Sequence, residues 1–120
     1  MPREVFFLIG RDGALLWSDA SDSPSGLPES RARWEAIWNH KDEPEELAHT
    51  HPIGPLAFSH EDETTMQALE SALGKKLRFS VVAPSGTIVR VGEAAVSVGP
   101  EPWWTALLRL ASGMRGPERA

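Results

Sequence analysis

The sequence predicts a single α/β (α+β) domain over residues 1–120, in which helices are layered on one mixed β-sheet. Short apolar or alternating segments typical of strands are interspersed with segments of helical periodicity. Their order is strand, strand, helix, strand, helix and then several strands, which is typical of a layered mixed sheet. The chain has 120 residues, of which 41% are hydrophobic, enough to fill one core.

The first 28 residues predict two strands and a loop. Val5–Ile9 is a continuous apolar run, and Ala14–Trp17 follows it after Gly10–Gly13. We therefore expect two buried strands joined by a tight Asp-Gly turn. Asp19–Pro28 is dense in Ser, Asp, Pro and Gly, so it is expected to be a loop.

An amphipathic helix is expected from Glu29 to about His40, because Trp34, Ile37 and Trp38 recur at helical spacing. These two tryptophans and Trp17 lie on apolar faces of their segments. We therefore expect all three indole rings in the core.

A strand over Glu45–His51 and a helix over Ser59–Leu73 are expected next. Met66, Leu69 and Leu73 share one face of that helix, which is expected to stop at Gly74.

The last third predicts a hairpin of Leu77–Ala83 with Thr87–Val91, a further strand Ala94–Val98, and a helix from Pro102 through Ala111. Trp103 and Trp104 are adjacent, so on a helix they cannot point in one direction, and one of them is expected to be exposed. Packing of this segment on the sheet is the favoured interpretation. A partner surface or self-association through Trp103 and Trp104 is the alternative.

Composition excludes several classes of function. The chain has no cysteine, which removes thiol catalysis, disulfides and cysteine zinc sites. A net charge of −5 and no cluster of Lys and Arg argue against nucleic-acid binding. The apolar run near the N-terminus is too short for a signal peptide or a membrane span, so a cytoplasmic protein with no membrane contact is expected.

The segment His49-Thr50-His51-Pro52, with Ser59 and Asp62 after it, indicates a metal site. Histidines two apart on a strand point to the same side. Pro52 ends the strand, and the turn that follows can return Asp62 toward the imidazoles. Two imidazoles and one carboxylate suit zinc (Zn2+), and three protein ligands leave a fourth position for water, the catalytic pattern.

The spacing His-x-His-Pro-x6-Ser-x2-Asp resembles the signature of the JAMM metalloproteases, the MPN-domain zinc isopeptidases. The resemblance implies a JAMM/cytidine-deaminase-like fold of the small prokaryotic JAB-domain type. It implies that His49, His51 and Asp62 bind zinc and that Ser59 steadies the oxyanion. It also implies hydrolysis after the C-terminal glycine of a ubiquitin-like or sulfur-carrier-like protein.

The family's general acid/base is an upstream glutamate at the edge of the first core strand. Glu4, just before the apolar run that ends in Gly10, matches that place, and Glu35 on the expected first helix is the alternative. Family members usually carry a helix before the first strand. Here only three residues precede Glu4, so one sheet face is expected to be bare or covered by a partner.

One further role is compatible with a zinc hydrolase, and two interpretations compete with it. Ser59 and Asp62 also form a capping box, a role compatible with metal binding. The protein can instead be a non-catalytic MPN-like binding or scaffold protein, because a fold does not fix activity. A serine hydrolase using Ser59 is disfavoured, because Ser59 lies in no Gly-x-Ser-x-Gly elbow.

Overall fold

The computed structural model describes residues 3–10, 13–21, 31–40, 44–53, 55–74, 76–91, 96–98 and 101–114, without the side chains of residues 44 and 45. These residues form one six-stranded mixed sheet and three helices. The strands are β1 (Val5–Gly10), β2 (Leu15–Ala20), β3 (Pro44–Thr50), β4 (Arg78–Ala83), β5 (Gly86–Val91) and β6 (Ser97–Val98). The helices are α1 (Arg31–Asn39), α2 (His60–Leu73) and α3 (Trp104–Ser112).

The sheet has the strand order β2-β1-β3-β4-β5-β6. Strands β3 and β4 are parallel, whereas the other neighbouring pairs are antiparallel. A parallel pair needs a crossover, and α2 supplies it between β3 and β4. The carboxyl end of β3 and the first turn of α2 therefore follow one another along the chain, joined by a short connection.

Helices cover both faces of the sheet. Strand β1 is apolar throughout because it is buried on both faces, and its alternate residues enter two different clusters. Phe6 and Leu8 pack with Ile37 of α1 and Met66 of α2, whereas the second cluster faces α3. That second cluster consists of Val5, Phe7, Ile9, Ala48, Val82, Trp104 and Leu108.

Helix α3 thus occupies the face that the sequence left bare or assigned to a partner, so that expectation was wrong. Trp104 and Leu108 of α3 pack on this face. Arg109 of α3 is buried and donates hydrogen bonds to the carbonyl oxygen of Ala83 and to Glu101. The hydrogen bond from Arg109 holds the pKa of Glu101 below its ordinary value.

As expected, one of the adjacent residues Trp103 and Trp104 is exposed and the other is not. Trp104 is 2% exposed in the core, and Trp103 is 61% exposed. Helix α3 begins at Trp104, two residues later than predicted, because Pro102 lies in the preceding turn and its carbonyl accepts from the N–H of Thr105. A partner contact through exposed Trp103 stays a prediction.

Tight packing surrounds the β1–β2 connection. Gly13 has φ of +74°, and an added Cβ would come within 2.9 Å of the indole nitrogen of Trp103. Arg11 and Asp12, the centre of the expected Asp-Gly turn, lie outside the described residues.

Three further expectations need correction. Strand β2 continues to Ala20, so Asp19 belongs to a strand, because pairing with β1 overrides a local composition typical of loops. As an edge strand, β2 is also only partly buried. Trp38 is 54% exposed, so it is not part of the core. Residues 22–30 and 94–95, on which parts of the predicted loop, first helix and last strand fall, lie outside the described residues.

Among the described residues, no helix has the length and apolarity needed to cross a membrane.

Candidate metal centre

A cavity of about 840 Å³ opens over the face of the sheet that carries α1 and α2. Volumes of this order are typical of sites that bind small molecules or peptide segments. The cavity walls are mostly apolar and include Trp34, Ile37 and Phe58. Glu4, His49, His51, Ser59 and Asp62 also line it, so every residue assigned to the site from the sequence meets in one place.

The side chains of His49, His51 and Asp62 converge on one point. The two Nε2 atoms lie 3.1 Å apart. Oδ1 of Asp62 is 3.1 Å from Nε2 of His49, and Oδ2 is 3.4 Å from Nε2 of His51. The three residues are partly buried and form a group that can hold a metal ion.

These separations fit tetrahedral zinc. With zinc–ligand bonds of about 2.0–2.1 Å, two ligand atoms at a tetrahedral angle lie about 3.3 Å apart. The two Nε2 atoms lie 3.1 Å apart, close to that value. Each carboxylate oxygen of Asp62 lies at a similar distance from one imidazole, Oδ1 at 3.1 Å from His49 and Oδ2 at 3.4 Å from His51. Nitrogen and carboxylate donors are also those that zinc prefers, so the residues present fit the metal that the resemblance implies.

Strand geometry explains why the histidines meet. His49 lies on β3, opposite Phe6 of β1, and His51 comes directly after the strand. The N–H of His51 still donates to the carbonyl of Val82, so the chain keeps its extended direction for one more residue. The strand was predicted to include His51 and ends one residue earlier, at Thr50. Both imidazoles nevertheless point to the same face, as the spacing predicts.

His51 is oriented from its other ring nitrogen. Nδ1 lies 3.0 Å from the carbonyl oxygen of Pro55, which can only accept a hydrogen bond. In the neutral ring, the form that would bind a metal, the proton therefore belongs on Nδ1 and Nε2 keeps its lone pair. An outer hydrogen bond of this kind is usual for histidine ligands.

Asp62 is placed by the start of helix α2. The hydroxyl of Ser59, the N-cap, accepts from the N–H of Asp62 at 3.0 Å. In return, Oδ2 of Asp62 accepts from the N–H of Ser59 at 2.8 Å. The capping box expected from the sequence is therefore present, and it aims the carboxylate at the histidines. Capping and metal binding are compatible roles for these two residues.

Contacts within the site shift the pKa values of Asp62 and His51. Burial alone would raise the pKa of Asp62, but hydrogen bonds with His49, His51 and the N–H of Ser59 hold that pKa well below its ordinary value. Burial opposes a charge on His51. Hydrogen bonds to Asp62 and to the Pro55 carbonyl nevertheless raise the pKa of His51 above 6.5.

Glu4 lies immediately before β1, and β1 is the neighbour of β3, the strand that carries His49. It is 8% exposed, and burial raises the pKa of its carboxyl although His49 and His51 act in the opposite direction. A buried carboxylate with a raised pKa next to a metal centre has the properties of a general acid/base.

Glu35, the alternative general base, has a different environment. It lies on α1, is exposed, and pairs with Arg31 at 2.8 Å one turn away. Among the described residues that line the cavity, Glu4 is present and Glu35 is not. His60, interpreted from the sequence as a spare histidine, is exposed at the mouth of the cavity.

The sequence did not single out Thr50 as a functional residue. This residue lies between the two histidines and is 0% exposed. Its hydroxyl oxygen accepts from the N–H of Val5 at 2.8 Å, directly beside Glu4. A buried hydroxyl needs a hydrogen-bond partner, but β3 has the mixed sequence PEELAHT, so the sequence gives no signal that Thr50 is buried.

No protein-family model matches this chain, and no curated protein sequence matches it.

Proposed function

We propose that this protein is a zinc-dependent peptidase or isopeptidase of the JAMM type, with a JAMM-like fold. The observation that carries the proposal is the convergence of the two Nε2 atoms of His49 and His51 and the Asp62 carboxylate, at 3.1–3.4 Å, in a cavity that Glu4 also lines. The overall reaction adds water across an amide bond and gives a carboxylic acid and an amine.

The three ligands would hold zinc through Nε2 of His49, Nε2 of His51 and the Asp62 carboxylate. When bound, zinc supplies a lowered pKa for a coordinated water and polarises the scissile carbonyl. Glu4 accepts the proton of the attacking water and then delivers it to the leaving amine. The Ser59 hydroxyl, which accepts from the N–H of Asp62, keeps its own proton to donate to the developing oxyanion.

The cavity supports a substrate presented as an extended peptide segment. Its volume exceeds what one amide group needs, and Trp34 and Phe58 offer apolar surface for neighbouring side chains. The resemblance adds the identity of the segment. It is the C-terminal tail of a ubiquitin-like or sulfur-carrier-like protein, cleaved after glycine.

The first test is metal content. We expect about one zinc per chain after zinc loading and gel filtration, and loss of that zinc in His49→Ala. His60→Ala is the matched control, because this exposed histidine lies beside the site and is not one of the converging ligands. Zinc that binds equally well to both variants would contradict the assignment of the ligands.

The second test is hydrolysis. Zinc-loaded protein is incubated with C-terminal aminocoumarin amides and linear fusions of ubiquitin-like and sulfur-carrier-like proteins, and release of the amine is followed. We expect turnover that chelator removes and zinc restores. Stoichiometric zinc without turnover of any member of the panel would instead favour the non-catalytic binding or scaffold protein.

A further inference from the structure

Thr50 cannot reach the metal centre. Successive residues of a strand point to opposite faces, so its side chain lies on the side away from His49 and His51. It is fully buried at 0% exposure. The hydrogen-bond partners of its hydroxyl flank Glu4 instead.

The Thr50 hydroxyl bonds to the backbone on both sides of Glu4. It accepts from the N–H of Val5 at 2.8 Å and makes a longer contact of 3.4 Å with the carbonyl of Arg3. Regular pairing of β1 with β3 begins at Phe6, opposite His49. At Val5, the hydroxyl therefore replaces the backbone partner that the sheet no longer supplies.

Two other elements complete the support around Glu4. The N–H of Ser21, which follows β2, donates to the Glu4 carbonyl at 2.9 Å. The N–H of Arg3 donates to the carbonyl of Ser112 in α3 at 2.8 Å. The backbone around Glu4 is thus held by hydrogen bonds from three directions: to the backbone of Ser21, to the backbone of Ser112, and to the Thr50 hydroxyl.

Fixing this backbone fixes the direction in which the Glu4 side chain leaves it. A general base must lie within hydrogen-bond reach of the proton that it takes, and a displacement of about 1 Å costs up to roughly 100-fold in rate. We propose that Thr50 is a positioning residue that holds the Glu4 carboxylate at the metal centre, an inference that rests on the proposed hydrolytic function.

The test compares Thr50→Val, which keeps the shape and removes the hydroxyl, with Thr50→Ser, which keeps the hydroxyl. Thr87→Val is the matched control, because Thr87 is also a buried strand threonine with a hydrogen-bonded hydroxyl, directed to Glu101. Zinc content, kcat and KM with a confirmed substrate, and hydrogen exchange at the Val5 amide are measured for all three. A crystal structure of zinc-loaded Thr50→Val locates the Glu4 carboxylate.

We expect Thr50→Val to keep one zinc and a KM within about threefold of wild type, while kcat falls about 10- to 100-fold. Exchange at Val5 should accelerate by about tenfold or more, since the amide loses its partner. Thr50→Ser should restore both properties, and Thr87→Val should change neither. Unchanged kcat with accelerated exchange would overturn the proposal, as would an unmoved Glu4 carboxylate.

The structural readouts separate this inference from the proposed function. If wild-type protein binds zinc and hydrolyses nothing, the proposed activity fails. The exchange rate at Val5 and the position of Glu4 then still decide whether Thr50 holds the carboxylate in place.

Discussion

Replacement of Glu4 by glutamine tests the chemistry with little disturbance of the structure. The amide has nearly the size of the carboxylate, and Glu4 is not one of the three converging ligands. We expect Glu4→Gln to bind one zinc per chain with an affinity near that of wild type. An amide cannot accept the proton of the attacking water, however, so the variant should lose turnover.

The expected loss of kcat in Glu4→Gln follows from the proposed role of Glu4 as general acid/base. General acid/base catalysis contributes about 10²–10⁴-fold, which corresponds to about 3–5 kcal/mol of transition-state stabilisation. We expect kcat to fall by at least that factor while KM changes little. The assay is release of the amine under saturating substrate, with zinc content determined on the same sample.

Stability supplies an independent check on the environment of Glu4. Burial raises the pKa of Glu4 in the folded state, so ionisation opposes folding. The metal-free wild type should therefore lose stability as pH rises from 4.5, the ordinary pKa, through the raised value. Glu4→Gln lacks this loss, and in urea with chelator at neutral pH it should be at least as stable as wild type.

Glu35→Gln is the control. Glu35 is exposed and forms one surface ion pair with Arg31, which is worth only a few tenths of a kcal/mol. This variant should remain active and folded. An active Glu4→Gln together with an inactive Glu35→Gln would refute the assignment of the general base and the strand alignment behind it.

Three further predictions concern the ligands and the cap. His49→Ala and Asp62→Ala should lose zinc and hydrolysis. Both variants should still unfold cooperatively in urea, because the two core clusters do not include the metal ligands. Global unfolding of the metal-free protein would indicate a structural metal instead. Zinc affinity, measured by competition with a chelator, should fall as pH drops through the raised pKa of His51, because a proton then competes with zinc for Nε2. The expected fall is up to about tenfold per pH unit. An affinity independent of pH would contradict this prediction. Ser59→Ala should lower kcat by about 10²–10³ through the lost oxyanion donor and cost about 1 kcal/mol of stability through the lost cap. Turnover within a few-fold of wild type would leave Ser59 as a cap only.

Most helices and strands were predicted from local signals in the sequence. Helix α2 was predicted accurately because Ser59, Asp62 and Gly74 mark both of its ends by hydrogen-bonding chemistry that acts within a few residues. The alternation of His49 and His51 was equally local. The sequence also indicated an exposed residue in the Trp103–Trp104 pair, because adjacent residues on a helix point in different directions.

The errors concern long-range packing. Asp19 joined a strand because β1 offered it a partner, and Trp38 stayed in solvent although its spacing suited a buried face. Packing of α3 on the sheet was predicted, but not that this helix covers the face expected to be bare or covered by a partner. The support of Glu4 by Thr50 depends on the pairing of two strands, which composition and spacing do not reveal.

The residues of the candidate site are separated by very different distances along the sequence. His49, His51 and Asp62 fall within a segment whose ends are 13 positions apart, whereas Glu4 precedes His49 by 45 positions. By loop-closure entropy, the longer connection costs about 1 kcal/mol more to close. Under the proposed function, the three metal ligands thus come from one short stretch of sequence, whereas the proposed general base requires β1 to be docked against β3. A local separation of β1 from β3, at denaturant concentrations below the cooperative transition, should therefore abolish the proposed activity before zinc is released.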